Sequence, residues 1–310
     1  MIEKAPSRTR LVLAFATIYL VWGSTYLAIR VGVREFPPAL FAAVRFLASA
    51  PLLLGLAKLT GAKLRATREE LRSCAVSGLL LLVGGNFVLV WAEKTVPSGL
   101  AALLVATVPF WMAGIECFRR GGERPGVLGW SGIAIGFVGV VCLIAPEMGQ
   151  GASLASGGKL LGEIGILLCS GLWALGSIYG KHAPLPRNPL VSTAYQMLFG
   201  GAALTLIGLA SGELAEWNAS AVTKEGALAL LYLITAGSCL GFTAYAWLLK
   251  NAPAAKVATY AYVNPAVALL LGALLLDEEV GGVAMLGTAI ILTGVALVSR
   301  DKVRGAGSEV

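Results

Sequence analysis

The chain has 310 residues, of which 57% are hydrophobic and only 13% charged, and its mean hydropathy is +0.80. Soluble domains carry about 25% charged residues, so a water-soluble globule is excluded. The net charge of +7 does not point to nucleic acid, because the basic residues lie between apolar runs and form no single patch.

About 20 mostly apolar residues cross a bilayer, and ten such spans are predicted in chain order: 11–33, 38–57, 73–93, 97–118, 126–145, 160–180, 189–210, 226–249, 254–276 and 281–299. The first follows Lys4, Arg8 and Arg10, is too long for a signal-peptide core and has no convincing cleavage motif, so it is expected to remain as a membrane helix. Prolines mark the joints at Pro37, Pro38, Pro97, Pro125, Pro184, Pro186, Pro189 and Pro253. The 39 glycines suit close helix packing in lipid. The five cysteines fall within or beside apolar runs, form no CxxC pair and are expected to be packing residues.

The segment Trp91–Phe110 recurs 156 positions later: Trp91 matches Trp247, Lys94 matches Lys250, Pro97 matches Pro253, Ala102 matches Ala258 and Pro109 matches Pro265. Elsewhere Trp22 matches Trp173, Pro38 matches Pro189, Glu123 matches Glu278, Gly132 matches Gly287 and Gly139 matches Gly294. The chain therefore reads as two units, 11–145 and 160–299, joined by a Gly-, Ser- and Ala-rich linker at 146–159. Each unit has an odd number of spans, five, so the second enters the membrane upside down relative to the first. With a cytoplasmic N-terminus, 18 Lys and Arg lie on the cytoplasmic side against 5 outside. An even span count then places both termini in the cytoplasm of a multi-pass protein of the cytoplasmic (inner) membrane. The expected fold is all-α and integral to the membrane, with ten helices in two inverted five-helix repeats.

Site candidates come from depth and repeat pairing. Trp22 and Trp173 lie near mid-span, away from the interfacial belts where Trp is ordinarily favoured. Each offers a flat apolar wall, one N–H donor and a ring face able to hold a cation. Tyr26 and Ser177 share their respective helical faces. Asn86 and Asn264, with Tyr260 one turn before the latter, are mid-membrane polar groups that either line a solute path or bond another helix. Pro109 and Pro265 are matched mid-span prolines, read as kinks or hinges. Arg45 is expected to be structural, because its repeat partner is the neutral Gln196. Glu93, Glu116 and Glu163 fall near span ends and are expected at solvated or rim positions. No carboxylate stands at mid-span, which leaves uniport and weakly coupled antiport open. Gly132–Gly136 and Gly237–Gly241 are expected to pack helices within the bundle.

The stretch Gly151–Leu160 is not a phosphate loop: its spacing is wrong, and Lys159 is followed by Leu160 instead of Ser or Thr. The single histidine, His182, leaves no His-based triad or metal cluster. No cofactor or metal is expected. A membrane-embedded enzyme would need clustered acids or a nucleophile with its base, and a channel or sensor would want a continuous polar path. Neither pattern is found. The expected partners are a small-molecule solute and the lipid bilayer, without nucleic acid, and the expected state is a monomer.

Taken in order, Trp22–Gly23–Ser24, Arg45–Phe46, Val96–Pro97–Ser98–Gly99, Pro109 and Gly122–Glu123 with Gly132 and Gly139, followed by Trp173–Ala174, Asn264–Pro265 and Glu278 with Gly287 and Gly294, form a pattern over residues 11–299. In this pattern the chain resembles the EamA-type permeases of the drug/metabolite transporter superfamily, most of all the bacterial aromatic amino acid and paraquat exporters. It departs from many members at Gly121–Gly122 and at Asp277–Glu278. The resemblance implies a ten-helix bundle around a central cavity, a non-enzymatic activity, and outward movement of small organic metabolites such as amino acids.

Overall fold

The computed structural model describes residues 7–119, 125–148, 154–252, 257–276 and 281–306. Ten long helices occur among them: α1 (Arg8–Gly32), α2 (Pro38–Leu59), α3 (Arg68–Ala92), α4 (Ser98–Phe118), α5 (Val127–Met148), α6 (Leu154–His182), α7 (Pro189–Ala210), α8 (Lys224–Asn251), α9 (Tyr260–Leu276) and α10 (Gly282–Ala306). Seven are long and apolar enough to cross a membrane, and α5, α9 and α10 carry shorter apolar stretches. Their sequences are apolar nearly all round, which marks helices surrounded by lipid and by one another. Leu13, Leu20, Leu168, Leu206 and Leu274 face outward.

Polar capping residues set several helix starts. Thr67 and Glu70 form a reciprocal capping box at α3, with bonds of 2.7 and 3.2 Å. Asn188 caps α7 and Thr223 caps α8 through their side-chain oxygens. Pro38 and Pro189, repeat counterparts, each open a helix where a missing N–H costs nothing.

The packing follows a two-fold rule. Along the chain α1 to α5 correspond to α6 to α10, and α5 lies along α10, α2 along α7 and α4 along α9. Helix α1 packs on α8 and α9, as α6 packs on α3 and α4. The α5–α10 seam fixes the direction of the axis. A Cβ at Gly132 would lie 2.6 Å from the Gly294 carbonyl oxygen, and one at Gly139 would lie 2.9 Å from that of Gly287. Gly132 corresponds to Gly287 and Gly139 to Gly294, so equivalent positions cross over and the two helices run antiparallel. The axis therefore runs perpendicular to the helices, in the plane a membrane would occupy, as an inverted repeat requires. Only glycine permits so close a backbone approach. Leu47 beside Gly201 and Leu40 beside Gly208 repeat the antiparallel pattern between α2 and α7.

Of the stretch 146–159 read as a linker, residues 146–148 continue α5 and residues 154–159 begin α6. The prolines need a finer reading. Helix α4 is broken at Ala106 and Thr107, and Pro109 opens its second segment. Pro109 is thus a helix-start residue, not a kink in a continuous helix: without an N–H it cannot carry the hydrogen-bond ladder across the break. Pro265 does lie inside α9. Glu123, Pro253 and Glu278 fall outside the described residues.

Candidate functional site: a central cavity and an aromatic layer

Helices α3 and α8, third in each repeat, both leave α-helical geometry at their centres. Leu79–Phe87 and Leu233–Phe242 are π-helical. Such segments recur at functional sites because the wider turn redirects side chains and frees carbonyls. Gly85 in the first and Gly241 in the second are repeat counterparts, and each seats a tryptophan. A Cβ at Gly85 would stand 2.9 Å from the Trp173 ring, and one at Gly241 would run into the Trp22 indole. The Trp22 Nε1–H donates to the Gly237 carbonyl at 3.2 Å.

These two tryptophans meet edge to face at 5.5 Å between ring centroids. Phe242 lies 5.4 Å from Trp22 and 5.6 Å from Trp173, Tyr245 lies 4.9 and 5.6 Å from them, and Tyr260 lies 5.5 Å from Trp22. Five rings thus form one aromatic layer across the middle of the bundle. The Trp173 indole N–H is buried beside the Tyr245 and Tyr260 hydroxyls without a well-aligned bond to either.

A cavity lies against one side of this layer. Six of the seven expected substrate residues line it: Trp22, Tyr26, Asn86, Trp173, Tyr260 and Asn264. Ser177 does not. It lines a second cavity on the opposite side of the layer, where it shares a 2.7 Å hydrogen bond with Tyr245. Its displacement follows from the inversion, because Ser177 is the counterpart of Tyr26 and the inverted repeat carries it to the other face. Five of the fifteen other residues lining the second cavity are also counterparts of residues lining the first. Gly176 stands where the first has Thr25, Gly180 where it has Ile29, Gln196 where it has Arg45, and Tyr245 where it has Leu89. Phe242, counterpart of Asn86, contributes to both.

The polar candidates divide by what they bond. With its amide nitrogen turned toward two carbonyls, Asn264 donates to Tyr19 at 3.0 Å and to Tyr260 at 3.3 Å, so it ties α9 to α1 while lining the cavity. The Asn86 Oδ1 accepts from Arg45 Nη1 at 3.4 Å. Arg45 itself is 2% exposed and lines the central cavity. Glu93 and Glu163 are fully buried, contrary to the expectation of solvated or rim positions, because neighbouring helices cover the span ends. Glu116 is nearly buried and bonds Arg119 at 2.8 Å. Among the described residues no group of His, Cys, Asp and Glu could hold a metal ion.

Sequence reasoning missed Phe242 and Tyr245 and discounted Arg45. The signal was present in the repeat. Carrying Asn86 and Leu89 forward by 156 positions lands on Phe242 and Tyr245.

Comparison with known proteins identifies related chains. The sequence profile of the EamA-like transporter family matches residues 9–145 and 160–300. An uncharacterized inner membrane transporter of Escherichia coli K12, YedA, is 39% identical over 290 residues, covering 93% of this chain and 90% of its own. A probable amino-acid metabolite efflux pump of Salmonella typhimurium is 27% identical over 291 residues, covering 90% and 91%. A crystal structure at 21% identity superposes with a TM-score of 0.67 over 94% of this chain and 96% of that one, and shares its fold.

Proposed function

Because the chain belongs to the EamA-like transporter family, we propose that it is a secondary transporter exporting small organic metabolites, amino acids among them, across the inner membrane by alternating access. The carrying observation is a pair of cavities on opposite sides of one aromatic layer that share six counterpart positions. When two inverted repeats exchange conformations, the cavity on one face closes as its counterpart opens. The broken helices support this reading. Helix α4 is interrupted at Ala106–Thr107, whereas the turn before α9 lies at Ala258–Thr259, one helical turn earlier in the repeat frame. The halves thus hold different conformations of one design, with Pro109 and Pro265 as hinges. Amino acids enter from the name of the Salmonella relative and from a cavity whose walls combine rings with a few polar groups, the usual make-up of a small-molecule site. The protein works as a monomer with its termini in the cytoplasm, without cofactor or catalytic step.

The test is uptake of labelled amino acids into proteoliposomes, with and without a pH gradient. Saturable counterflow of at least one solute is expected. A protein that moves none of a broad panel of amino acids and related organic solutes would contradict the transport reading.

A further inference from the structure

Arg45 is the one formally charged side chain lining the central cavity among the described residues. It is 2% exposed and lies deep in α2. Placing a guanidinium at membrane depth is costly, and such residues persist where they pair or serve a solute path. Yet its pairing within the protein is incomplete. Nε donates to Ser238 Oγ at 2.8 Å and Nη1 to Asn86 Oδ1 at 3.4 Å. Phe46 and Phe242 hold the guanidinium carbon at 5.1 and 6.0 Å from their ring centroids. A guanidinium has five N–H donors. Three therefore have no acceptor among the described residues; the buried Glu93 carboxylate acts on the guanidinium through its charge but forms no direct ion pair with it. Ser49, one turn along α2, holds its Oγ 2.6 Å from the Arg45 carbonyl oxygen and 3.1 Å from that of Ile234, so its single O–H sits between α2 and the π segment of α8. Gly237, in that segment, leaves room for the guanidinium: a Cβ there would lie 3.3 Å from Nη2. The cation is held from one side and left open on the other.

We propose that Arg45 is the receptor for a carboxylate on the transported solute, and that the solutes are small monocarboxylates whose flat apolar body lies against the aromatic layer. This rests on the transport reading above. Its terminal nitrogens suit a bidentate bond to a carboxylate, with the short charge-assisted geometry that the Ser238 and Asn86 anchors pre-organise. Phe242 connects the two halves of the site, because its ring touches both the guanidinium and the two tryptophans. The repeat counterpart of Arg45, Gln196, lines the opposite cavity and donates to Ser192 Oγ at 3.3 Å. The cation thus serves one face of the membrane only. The carboxylate has its strong partner when the central cavity is open and a neutral amide when its counterpart is.

The experiment uses the full chain in detergent and three probes of one shape: 3-phenylpropionate, 3-phenylpropionamide and 3-phenylpropylamine. Binding is titrated by calorimetry. The anion is expected to bind at least about tenfold tighter than the amide, the scale of losing a charge-assisted bond in a buried site. Arg45→Gln should bring that ratio to about one, and Arg45→Lys should keep part of it, since a point charge remains without the fork. Asn86→Asp supplies a second variant, because it neutralises the cation from within and should erase the same preference. Equal or tighter binding of the amide or amine to the wild type overturns the proposal. So does failure of the anion to bind, or an anion preference that survives both Arg45→Gln and Asn86→Asp. Counterflow of the same probes in proteoliposomes separates the two claims. Anion-selective binding without counterflow keeps the site and refutes the transporter. Counterflow without anion preference keeps the transporter and refutes the site.

Discussion

Gly85 and Gly241 seat the two central tryptophans at positions a methyl group would not permit. A Cβ at Gly85 would press on the Trp173 ring, and one at Gly241 would meet Trp22. Gly241→Ala is expected to cost about 1–3 kcal/mol of overpacking and to push Trp22 off the Gly237 carbonyl. Thermal unfolding in detergent measures the first effect and counterflow the second; a stable, fully active variant would show that the layer tolerates a displaced tryptophan. Trp22→Ala, which removes a ring from four aromatic contacts, is expected to destabilise by about 3–5 kcal/mol, and Trp22→Phe by only about 0.5–1.5 kcal/mol for the lost N–H bond. At this scale the sequence was partly legible. Trp22, Tyr26, Asn86, Trp173, Tyr260 and Asn264 stood out by depth or pairing, and all line one cavity. Phe242 and Tyr245 did not stand out, because their counterparts are Asn86 and Leu89, and a search for like types at matched positions passes over unlike ones. Arg45 was discounted for having a neutral counterpart, although inversion sends that counterpart to the other cavity, where symmetry of charge is not required.

Helices α3, α4 and α8 carry irregular backbone, and α9 an internal proline. Their apolar extent was readable. Their interruptions were not, because π-helical and α-helical turns bury the same residue types and leave no distinct periodicity. Pro109 was legible as a special position, but its role differs from the one expected. It starts a helix after a break at Ala106–Thr107, where the Ala106 N–H reaches the Ala102 and Leu103 carbonyls and Thr107 Oγ1 donates to the Leu104 carbonyl at 2.7 Å. Pro109→Ala supplies the N–H that α4 lacks and should favour an unbroken helix. Pro265→Ala should do the same for α9. A bias of about 1.4 kcal/mol between two states changes their ratio tenfold, so transport should fall more than solute binding in each variant. Because the repeats are inverted, the two variants should shift the molecule toward opposite faces. Wild-type counterflow in both would leave these prolines as helix starters and kinks only.

For the molecule as a whole, the duplication was the most readable feature, since Trp91–Phe110 and its copy fixed the register of everything around them. The structure adds the axis. The crossed pairing of Gly132 with Gly294 and of Gly139 with Gly287 sets α5 and α10 antiparallel, and the same operation relates the two cavities across the aromatic layer. The charge bias of 18 against 5 predicts cytoplasmic termini. Reporter fusions at Gly151 and at the C-terminus should therefore report opposite sides, and agreement between them would refute the inverted ten-span topology. The exchange of access between the two cavities is tested most directly with single cysteines at the matched positions Tyr26 and Ser177, each in a background lacking the native cysteines. Their reaction with an impermeant thiol reagent would be measured from each side of oriented vesicles, for the wild-type hinge sequence and for Pro109→Ala and Pro265→Ala. Access at the two sites should be reciprocal, so that whatever speeds modification of Tyr26→Cys from outside slows that of Ser177→Cys from inside. Rates that rise together, or vary independently of each other, would contradict alternation between the two cavities.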